Sequence, residues 1–255
     1  MARFLYNNRV QWGIVEGDDV LSLHGRGGLE TSPYSGAEPG DRLCALSEVR
    51  LLAPIDPRVN KVPAIAANYG ERDERDGPGI FMKQPGTVVG PGEPIVYPRI
   101  GRSIIHEAEV GIVIGKSARH VSVEDALDHV LGYTCVNDVS ARELASSDLG
   151  RGTSMRWKHF DTFCPIGPWI VTGLDGDNLG IECRVNGETV VKGSTSDMLW
   201  GVAKLISWVS EVMALHPGDI IPSGCPETDE IAVGDTVDVV VEGIGTLRNP
   251  VVADL

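Results

Sequence analysis

The sequence predicts a strand-rich α+β protein with a few helices, and three observations support that class. Glycine makes up 31 of the 255 residues, well above the usual ~7%. Short runs rich in Val and Ile recur between turn-forming residues, which is typical of strands joined by tight connections. Clear helical spacing of apolar side chains is found at residues 195–213.

The charge balance excludes several classes of partner. The chain has 22 Lys and Arg against 36 Asp and Glu, a net charge of −14. Such an acidic surface disfavours binding to nucleic acid and to anionic membranes. No apolar run reaches the roughly 18 residues of a membrane span.

The five cysteines are scattered without a C-x-x-C motif, which is typical of reduced thiols. With no apolar signal core at the start of the chain, we expect a cytoplasmic protein.

Residues 1–58 are predicted to form a small N-terminal β domain. Short strands are expected at residues 3–6, 10–15 and 20–23. Residues 24–42 are rich in Gly, Pro and Ser and are predicted to be a loop. A proline-containing stretch at 51–62 is expected to join this unit to a main domain of residues 59–255.

The main domain is predicted to alternate short strands with turns. Strands are expected at 63–67, 110–114, 132–138, 166–172, 181–185, 219–221, 236–241 and 246–252. Asn186-Gly187 is a strong hairpin signal after the fifth of these strands. Two helices are expected, a short one at 122–131 with Ser122 as its N-cap and a longer one at 195–213.

Two glutamates at the start of a strand are the first candidate site residues. Glu107 and Glu109 are two positions apart, so they project from the same face, about 7 Å from each other. They precede the apolar residues of a strand that we expect to be buried, where two like charges need a neutralising partner. A hard cation such as Mg²⁺ or Mn²⁺ suits carboxylates. The alternative is a pair of solvent-facing glutamates at a strand end.

Three further segments carry residues that could do chemistry. Asp138 follows an apolar strand, although Asn-Asp is also ordinary turn chemistry. Lys158 is framed by aromatic side chains and could stabilise an enolate, or could lie on the surface. Arg72 and Arg75 would share a face if their loop were helical and could clamp a carboxylate. The alternative for both arginines is a solvated charged loop.

Several segments in order carry a family resemblance. They include Asn68-Tyr69, HEAEVGIVIGK from His106, GYTCVNDVSARE from Gly132 and KHFDTFCPIGPWIVT from Lys158. Together with later segments they span about 190 residues, and their order and spacing resemble the fumarylacetoacetate hydrolase family. The resemblance implies mixed β-sheets wrapped into a barrel-like roll around the site. It also implies a homodimer, and the first 58 residues look like the small extra domain of many members.

The resemblance also assigns expected roles to individual residues. It implies Mg²⁺ or Mn²⁺ held by Glu107, Glu109 and Asp138, with Lys158 as the catalytic cation. The substrate is expected to contact a wider set of residues, which comprises Arg142, Arg72, Arg75, Lys83, Gly224 and Cys225.

The implied chemistry is that of a 2-oxo acid or β-dicarbonyl compound reacting through a metal-chelated enolate. Hydrolysis of a C–C bond is the family default. Three alternatives without water attack are a decarboxylase, a tautomerase or isomerase, and a specialised natural-product biosynthetic enzyme. A family member that binds metal or ligand without catalysis is a further alternative.

Two departures from the family pattern bear on that choice. Many smaller members carry N-Y-x-x-H-x-x-E, whose His and Glu activate water, whereas this chain has Arg72 and Arg75 there. Arginine does not act as a base at ordinary pH, so the two side chains are predicted to hold an anionic group of the substrate. The family's Gly-Thr-Pro motif is also altered, because Cys225 stands between Gly224 and Pro226.

Overall fold

The N-terminal part of the chain forms a five-stranded antiparallel sheet. This computed structural model describes residues 1–24, 33–34, 38–71 and 77–254. The strands are β1 (Ala2–Tyr6), β2 (Arg9–Glu16), β3 (Asp19–His24), β4 (Glu38–Ala45) and β5 (Arg50–Leu52). Their order in the sheet is β4-β3-β2-β1-β5, and Phe4 and Val20 are buried on one face.

The predicted loop at 24–42 is wrong in its last part. Residues 38–42 belong to β4, whose pairing with β3 brings Arg42 opposite Leu21 and Pro39 opposite Leu23. This pairing overrides the local turn composition. Residues 25–32 and 35–37 of the predicted loop lie outside the described residues.

The remaining strands build the part of the molecule that carries the candidate site. The first seven are β6 (Val62–Ala66), β7 (Gly79–Lys83), β8 (Val88–Val89), β9 (Ile95–Tyr97), β10 (Ile104–Ile114), β11 (Val130–Asn137) and β12 (Ser140–Ala141). The last seven are β13 (Cys164–Val171), β14 (Gly180–Val185), β15 (Glu188–Ser194), β16 (Ile220–Pro222), β17 (Thr228–Glu230), β18 (Thr236–Val241) and β19 (Gly245–Ala253). The helices are α1 (Arg142–Leu149), α2 (Met155–Lys158) and α3 (Val202–Val212).

Two sheets pack around the main core, and β10 is central to the larger one. That sheet has the order β12-β10-β11-β13-β8, and β16 and β17 also pair with β10. The second sheet has the order β15-β14-β18-β19-β9 and packs through β14 and β18 against β10 and β11. The β8–β13 and β9–β19 pairs are parallel. The predicted strand-rich α+β class with mixed sheets is therefore confirmed, and the described strands form no closed barrel.

The two predicted helices both differ from what the structure has. The segment predicted at 122–131 contains only a 3-10 turn at Ala126–His129, because β11 begins at Val130 and pairs with β10. Ser122 still accepts a hydrogen bond from the backbone N–H of Asp125 (3.2 Å). α1 and α2, on either side of residues 150–154, were not predicted because they are short and lack a clear apolar stripe.

The long helix begins seven residues later than predicted, at Val202. Upstream backbone N–H groups are used in tertiary hydrogen bonds instead: those of Leu199 and Trp200 donate to Asn68 (2.9 Å each). A helix through these residues would require the same N–H groups. In the described part of the chain, no helix has the length and apolar character needed to cross a membrane.

Truncating Ile112 in the middle of β10 should destabilise the fold. Its side chain is fully buried in the main core, so we expect Ile112→Ala to lower the free energy of unfolding by about 2–5 kcal/mol. Denaturant unfolding followed by circular dichroism measures this change. Val123→Ala, at a side chain 42% exposed, is the matched control and should stay within about 0.5 kcal/mol of the parent. A loss below about 1 kcal/mol for Ile112→Ala would contradict the assigned packing.

Candidate active site and metal centre

The candidate metal ligands lie where β10 and β11 meet at one end of the central sheet. Glu107 and Glu109 are on β10, and Asp138 directly follows β11. The antiparallel register sets Ala108 opposite Asn137, and the N–H of Asp138 donates to the carbonyl of Glu107 (3.0 Å). Strand pairing therefore brings three carboxylates from separate segments into one cluster.

Two buried lysines neutralise part of this cluster. Lys158 Nζ lies 2.7 Å from Glu107 Oε2 and 2.5 Å from Asp138 Oδ2. Lys83 Nζ lies 2.6 Å from the other Asp138 oxygen, Oδ1. Both lysine side chains are almost fully buried, with at most 3% exposed. Three carboxylates thus face two ammonium groups in a region with little water.

Aromatic rings enclose the ammonium group of Lys158. The rings of Phe81 and Trp157 both have their centroids 5.0 Å from Lys158 Nζ. Cation–π contacts of this kind are stronger when the cation is desolvated. The alternative of a lysine on the surface is therefore wrong, because the Lys158 side chain is only 3% exposed.

The electrostatic environment perturbs the pKa values of the clustered groups in different directions. Burial, together with repulsion from Asp138 and Glu107, raises the pKa of Glu109 well above its ordinary value. Burial also acts to raise the pKa of Asp138, but the ammonium groups of Lys158 and Lys83 outweigh it and lower that pKa. Burial acts to lower the pKa of Lys158, but Asp138 and Glu107 outweigh it and raise that pKa. The ion pairs with Asp138 and Glu107 thus favour the charged form of Lys158.

Neighbouring polar groups hold the two glutamates in place. Ser140 donates to Glu107 Oε1 (2.6 Å), and the backbone N–H of Glu107 donates to Asn137 Oδ1 (3.0 Å). The backbone N–H of Gly224 donates to Glu109 Oε2 (2.9 Å). Ser140 was not predicted as a site residue, and its position two residues after Asp138 was the available signal.

Asn68 ties the loop around Gly224 to the rest of the site. Its amide donates to the carbonyl oxygens of Ser223 and Trp200 (3.0 Å each) and is itself buried. Gly224 has φ +89°, and a Cβ there would lie 3.1 Å from the Asn68 Cβ. Gly224 is therefore required both for its backbone conformation and for the close approach of Asn68.

The structure brings together seven of the ten predicted site residues. Glu107, Glu109, Asp138, Lys158, Lys83, Gly224 and Cys225 cluster at this end of β10. Arg142 is exposed, and its guanidinium donates to the Thr228 hydroxyl, at the rim of the site on β17. Arg72 and Arg75 lie outside the described residues.

Two buried hydrogen-bond donors border the cluster and were not predicted as site residues. Trp157 Nε1 lacks a hydrogen-bond partner within the described ranges, whereas Tyr69 Oη lies within hydrogen-bonding reach of the Ser223 side chain. Tyr69 is close enough to Glu109 and Cys225 for their charges to act on its pKa, which burial raises. Trp157 Nε1 is therefore the donor of the two that a ligand could use, since buried polar atoms normally have a partner.

The donor set fits a hard divalent cation. Ligand atoms of Glu107, Glu109 and Cys225 all lie within 4.8 Å of one another. Burial, together with repulsion from Asp138 and Glu107, raises the pKa of Glu109 well above its ordinary value. A cation between the carboxylates would relieve this repulsion, and carboxylate oxygens are the ligands that Mg²⁺ and Mn²⁺ prefer.

The comparisons with known proteins match both parts of the chain to family models. Residues 59–252 match the model described as "Fumarylacetoacetate (FAA) hydrolase C-terminal", and residues 1–54 match "Rv2993c-like, N-terminal". Protein Rv2993c of Mycobacterium tuberculosis is 42% identical over 217 residues, covering 81% of this chain and 80% of that protein.

Two further similarities extend over nearly the whole chain. Oxaloacetate tautomerase YisK of Bacillus subtilis is 36% identical, covering 93% of this chain and 84% of that protein. The crystal structure of 5-carboxymethyl-2-hydroxymuconate delta-isomerase from Mycobacterium smegmatis is 39% identical, with a TM-score of 0.90 over 99% of each chain. Because the family model spans most of the sequence and the relatives cover both sheets and the site, this protein is an enzyme that belongs to the fumarylacetoacetate hydrolase family.

Proposed function

We propose that this enzyme is a divalent-metal-dependent tautomerase or isomerase that moves a proton within a 2-oxo dicarboxylic acid. Oxaloacetate is the first substrate to test, because YisK and the human relative FAHD2A are named oxaloacetate tautomerases. The observation that carries the proposal is the buried Lys158 ammonium group, held between Glu107 and Asp138. This cation is positioned to stabilise the negative charge of an enolate.

The chain's own residues account for the stabilisation of that charge. Glu107, Glu109 and Asp138 would hold the metal, which when bound supplies a Lewis acid that polarises the oxygens of a 2-oxo acid. Burial acts to lower the pKa of Lys158, but Asp138 and Glu107 raise it, which favours the ammonium form that can stabilise an enolate. Phe81 and Trp157 shield this ammonium group from water, which strengthens its interaction with developing charge.

The sequence around Tyr69 favours proton transfer over hydrolysis. Arg72 and Arg75 occupy the positions of the family's water-activating His and Glu, and arginine cannot take a proton from water. Tautomerisation consumes no water, because a proton only moves between a carbon and an oxygen of the same molecule. The two arginines would then bind the second carboxylate of the substrate.

A direct assay distinguishes the candidate reactions. The ultraviolet absorbance of freshly dissolved enol-oxaloacetate should decay faster with enzyme and Mn²⁺ than with free Mn²⁺ alone, without release of pyruvate. A chelator should abolish the acceleration, and added Mg²⁺ or Mn²⁺ should restore it. Enzyme-dependent pyruvate would instead indicate a decarboxylase, and cleavage of an acylpyruvate into two acids would indicate a C–C hydrolase. Either of these activities without tautomerisation would overturn the proposal.

Several finer features belong to the same proposal. The chain is proposed to consist of a small N-terminal domain, residues 1–58, and a catalytic domain, residues 59–255. The whole protein is proposed to function as a homodimer in the cytoplasm. Mg²⁺ or Mn²⁺ is the expected ion. Lys83, Arg142, Gly224 and Cys225 are proposed to line the substrate side of the centre. Size-exclusion chromatography with light scattering tests the dimer.

A further inference from the structure

We propose that Asp148 is a positioning residue for Lys158 and that it acts through Arg156 and the short helix α2. Its carboxylate group holds this helix in the orientation that places the Lys158 ammonium group between Glu107 and Asp138. The inference rests on the role that the proposed function gives to Lys158. It goes further because it assigns an effect on the reaction to a side chain that acts only through another residue.

Helix α2 is too short to hold its own orientation. It consists of a single turn, Met155–Lys158, whereas isolated helices shorter than about 12–15 residues are marginal in water. Its N-cap residue, Ser154, makes no side-chain hydrogen bond to the helix, so the first N–H groups need acceptors from elsewhere. The position of Lys158, the last residue of α2, therefore depends on contacts that other segments make with the helix.

The Asp148 carboxylate supplies both a helix cap and an ion pair. Its Oδ2 accepts a hydrogen bond from the backbone N–H of Arg156 (2.8 Å), the second residue of α2, which is a position that N-caps commonly bond. Its Oδ1 accepts from the Arg156 guanidinium group, from Nε at 2.8 Å and from Nη2 at 2.5 Å. The Asp148 side chain is 1% exposed, so these charge-assisted bonds form away from water, where they are strong.

The place of Asp148 in the chain indicates that its carboxylate does not stabilise its own helix. Asp148 lies in the last turn of α1, where a negative charge is unfavourable with respect to the helix dipole. Its backbone carbonyl accepts hydrogen bonds from the N–H groups of Arg151 and Thr153 (3.0 Å each). One residue therefore shapes the connection from α1 to α2 and also holds the start of α2.

Helix α1 is itself fixed beside the metal ligands. It directly follows β12, which pairs with the start of β10. From there the chain runs through α1 to Asp148, crosses to α2 and returns to β10, where Lys158 Nζ lies 2.7 Å from Glu107 Oε2. Asp148 joins the outgoing and the returning segments, so its loss should displace Lys158 and leave the strands that carry the carboxylates in place.

Kinetics of Asp148→Ala test the inference in the full chain. The variant should lose about tenfold or more in kcat, because a small misplacement of a catalytic group is costly. Its KM and its affinity for Mn²⁺ should stay within about threefold of the parent. Asp238→Ala is the matched control, since Asp238 has a buried carboxylate (4% exposed) paired with a partly exposed Arg248 (2.6 Å) on the second sheet. It should lower stability in the same way and change kcat by less than about twofold.

A double-mutant cycle with Lys158→Met separates positioning from general destabilisation. If Asp148 acts through Lys158, Asp148→Ala should change kcat by less than about twofold once Lys158 is methionine. A loss of the same size in both backgrounds would overturn the inference. Should Asp148→Ala fail to fold, Arg156→Met takes its place in the cycle, because it removes only the guanidinium half of the pair at a side chain that is 44% exposed.

Chemical labelling tests the inference without any assay of turnover. Lys158 is almost fully buried, so N-hydroxysuccinimidyl acetate should acetylate it slowly in the parent protein. Mass spectrometry should show acetylation of Lys158 at least about fivefold faster in Asp148→Ala, or in Arg156→Met, because the segment opens more often. The rate in Asp238→Ala should equal that of the parent.

The outcomes of labelling and kinetics distinguish this inference from the proposed function. An unchanged labelling rate of Lys158 in Asp148→Ala and in Arg156→Met would show that the pair does not position Lys158, whatever reaction the enzyme catalyses. Faster labelling in a protein whose parent form has no tautomerase activity would support the positioning role and contradict the proposed function.

Discussion

Replacing Lys158 with methionine should lower kcat by about 10²–10³-fold, the largest loss expected from a single side chain in this enzyme. Methionine retains much of the apolar stem between Phe81 and Trp157, so the change mainly removes the positive charge. The effect should fall on kcat rather than KM, because the negative charge on the substrate oxygen increases in the transition state. Steady-state kinetics with saturating Mn²⁺ and the substrate identified by the tautomerase assay measures both parameters.

The control for this variant is the same substitution at Lys204 on α3. Lys204 is exposed, and its ammonium group also contacts an aromatic ring, that of Trp200 (5.9 Å). Lys204→Met should leave kcat within about twofold of the parent, since surface changes seldom perturb a distant site. A loss below about tenfold for Lys158→Met would show that Lys158 is not the cation that stabilises the transition state.

Metal binding by Lys158→Met separates a catalytic from a structural effect. Lys158 and a bound cation would compete for Glu107 and Asp138, so removal of the lysine should leave metal affinity equal or higher. The metal-free variant should lose about 3–5 kcal/mol of stability, because Asp138 and Glu107 lose a buried partner. Added Mn²⁺ should recover part of this stability through binding to the folded state.

Local sequence patterns were sufficient for the acidic part of the site and for most strands. The alternation of Glu107 and Glu109 before a long apolar run predicted both the strand and its shared face. Asn186-Gly187 predicted the hairpin between β14 and β15, and the structure has both residues at positive φ (53° and 86°). These features depend on the two-residue repeat of a strand and on turn chemistry, which neighbouring residues determine.

Features created by contacts between distant segments could not be predicted in this way. The start of α3 depends on hydrogen bonds to Asn68, which lies 132 residues before Trp200. The ion pair of Lys83 with Asp138 joins two segments with no shared local pattern. The resemblance named Lys83 and Cys225, yet it did not indicate that Asp138 is enclosed by two lysines while Cys225 approaches the glutamates.

Replacing Glu109 with glutamine should lower the affinity for Mn²⁺ by at least about 100-fold and reduce turnover to the same extent at limiting metal. Glutamine retains an acceptor for the N–H of Gly224, so the loop at residues 223–227 should keep its position. The substitution removes one anionic ligand without opening a cavity. Calorimetric titration with Mn²⁺ measures the affinity, and Glu124→Gln, at an exposed glutamate, should bind as the parent does.

The Glu109→Gln variant should be more stable than the parent when metal is absent. The difference in the free energy of unfolding should depend on pH, and the pKa of Glu109 determines in which direction. The pKa of Glu109 is raised in the folded state, so the folded protein binds more protons there than the unfolded chain. This carboxyl group therefore costs the parent stability as pH rises above about 4.5, the ordinary value. The advantage of Glu109→Gln in the free energy of unfolding should grow from pH 4 towards neutrality and reverse when Mn²⁺ is in excess, because only the parent then binds the ion tightly. If the stability difference between Glu109→Gln and the parent does not change with pH, the pKa of Glu109 is not raised in the metal-free folded protein.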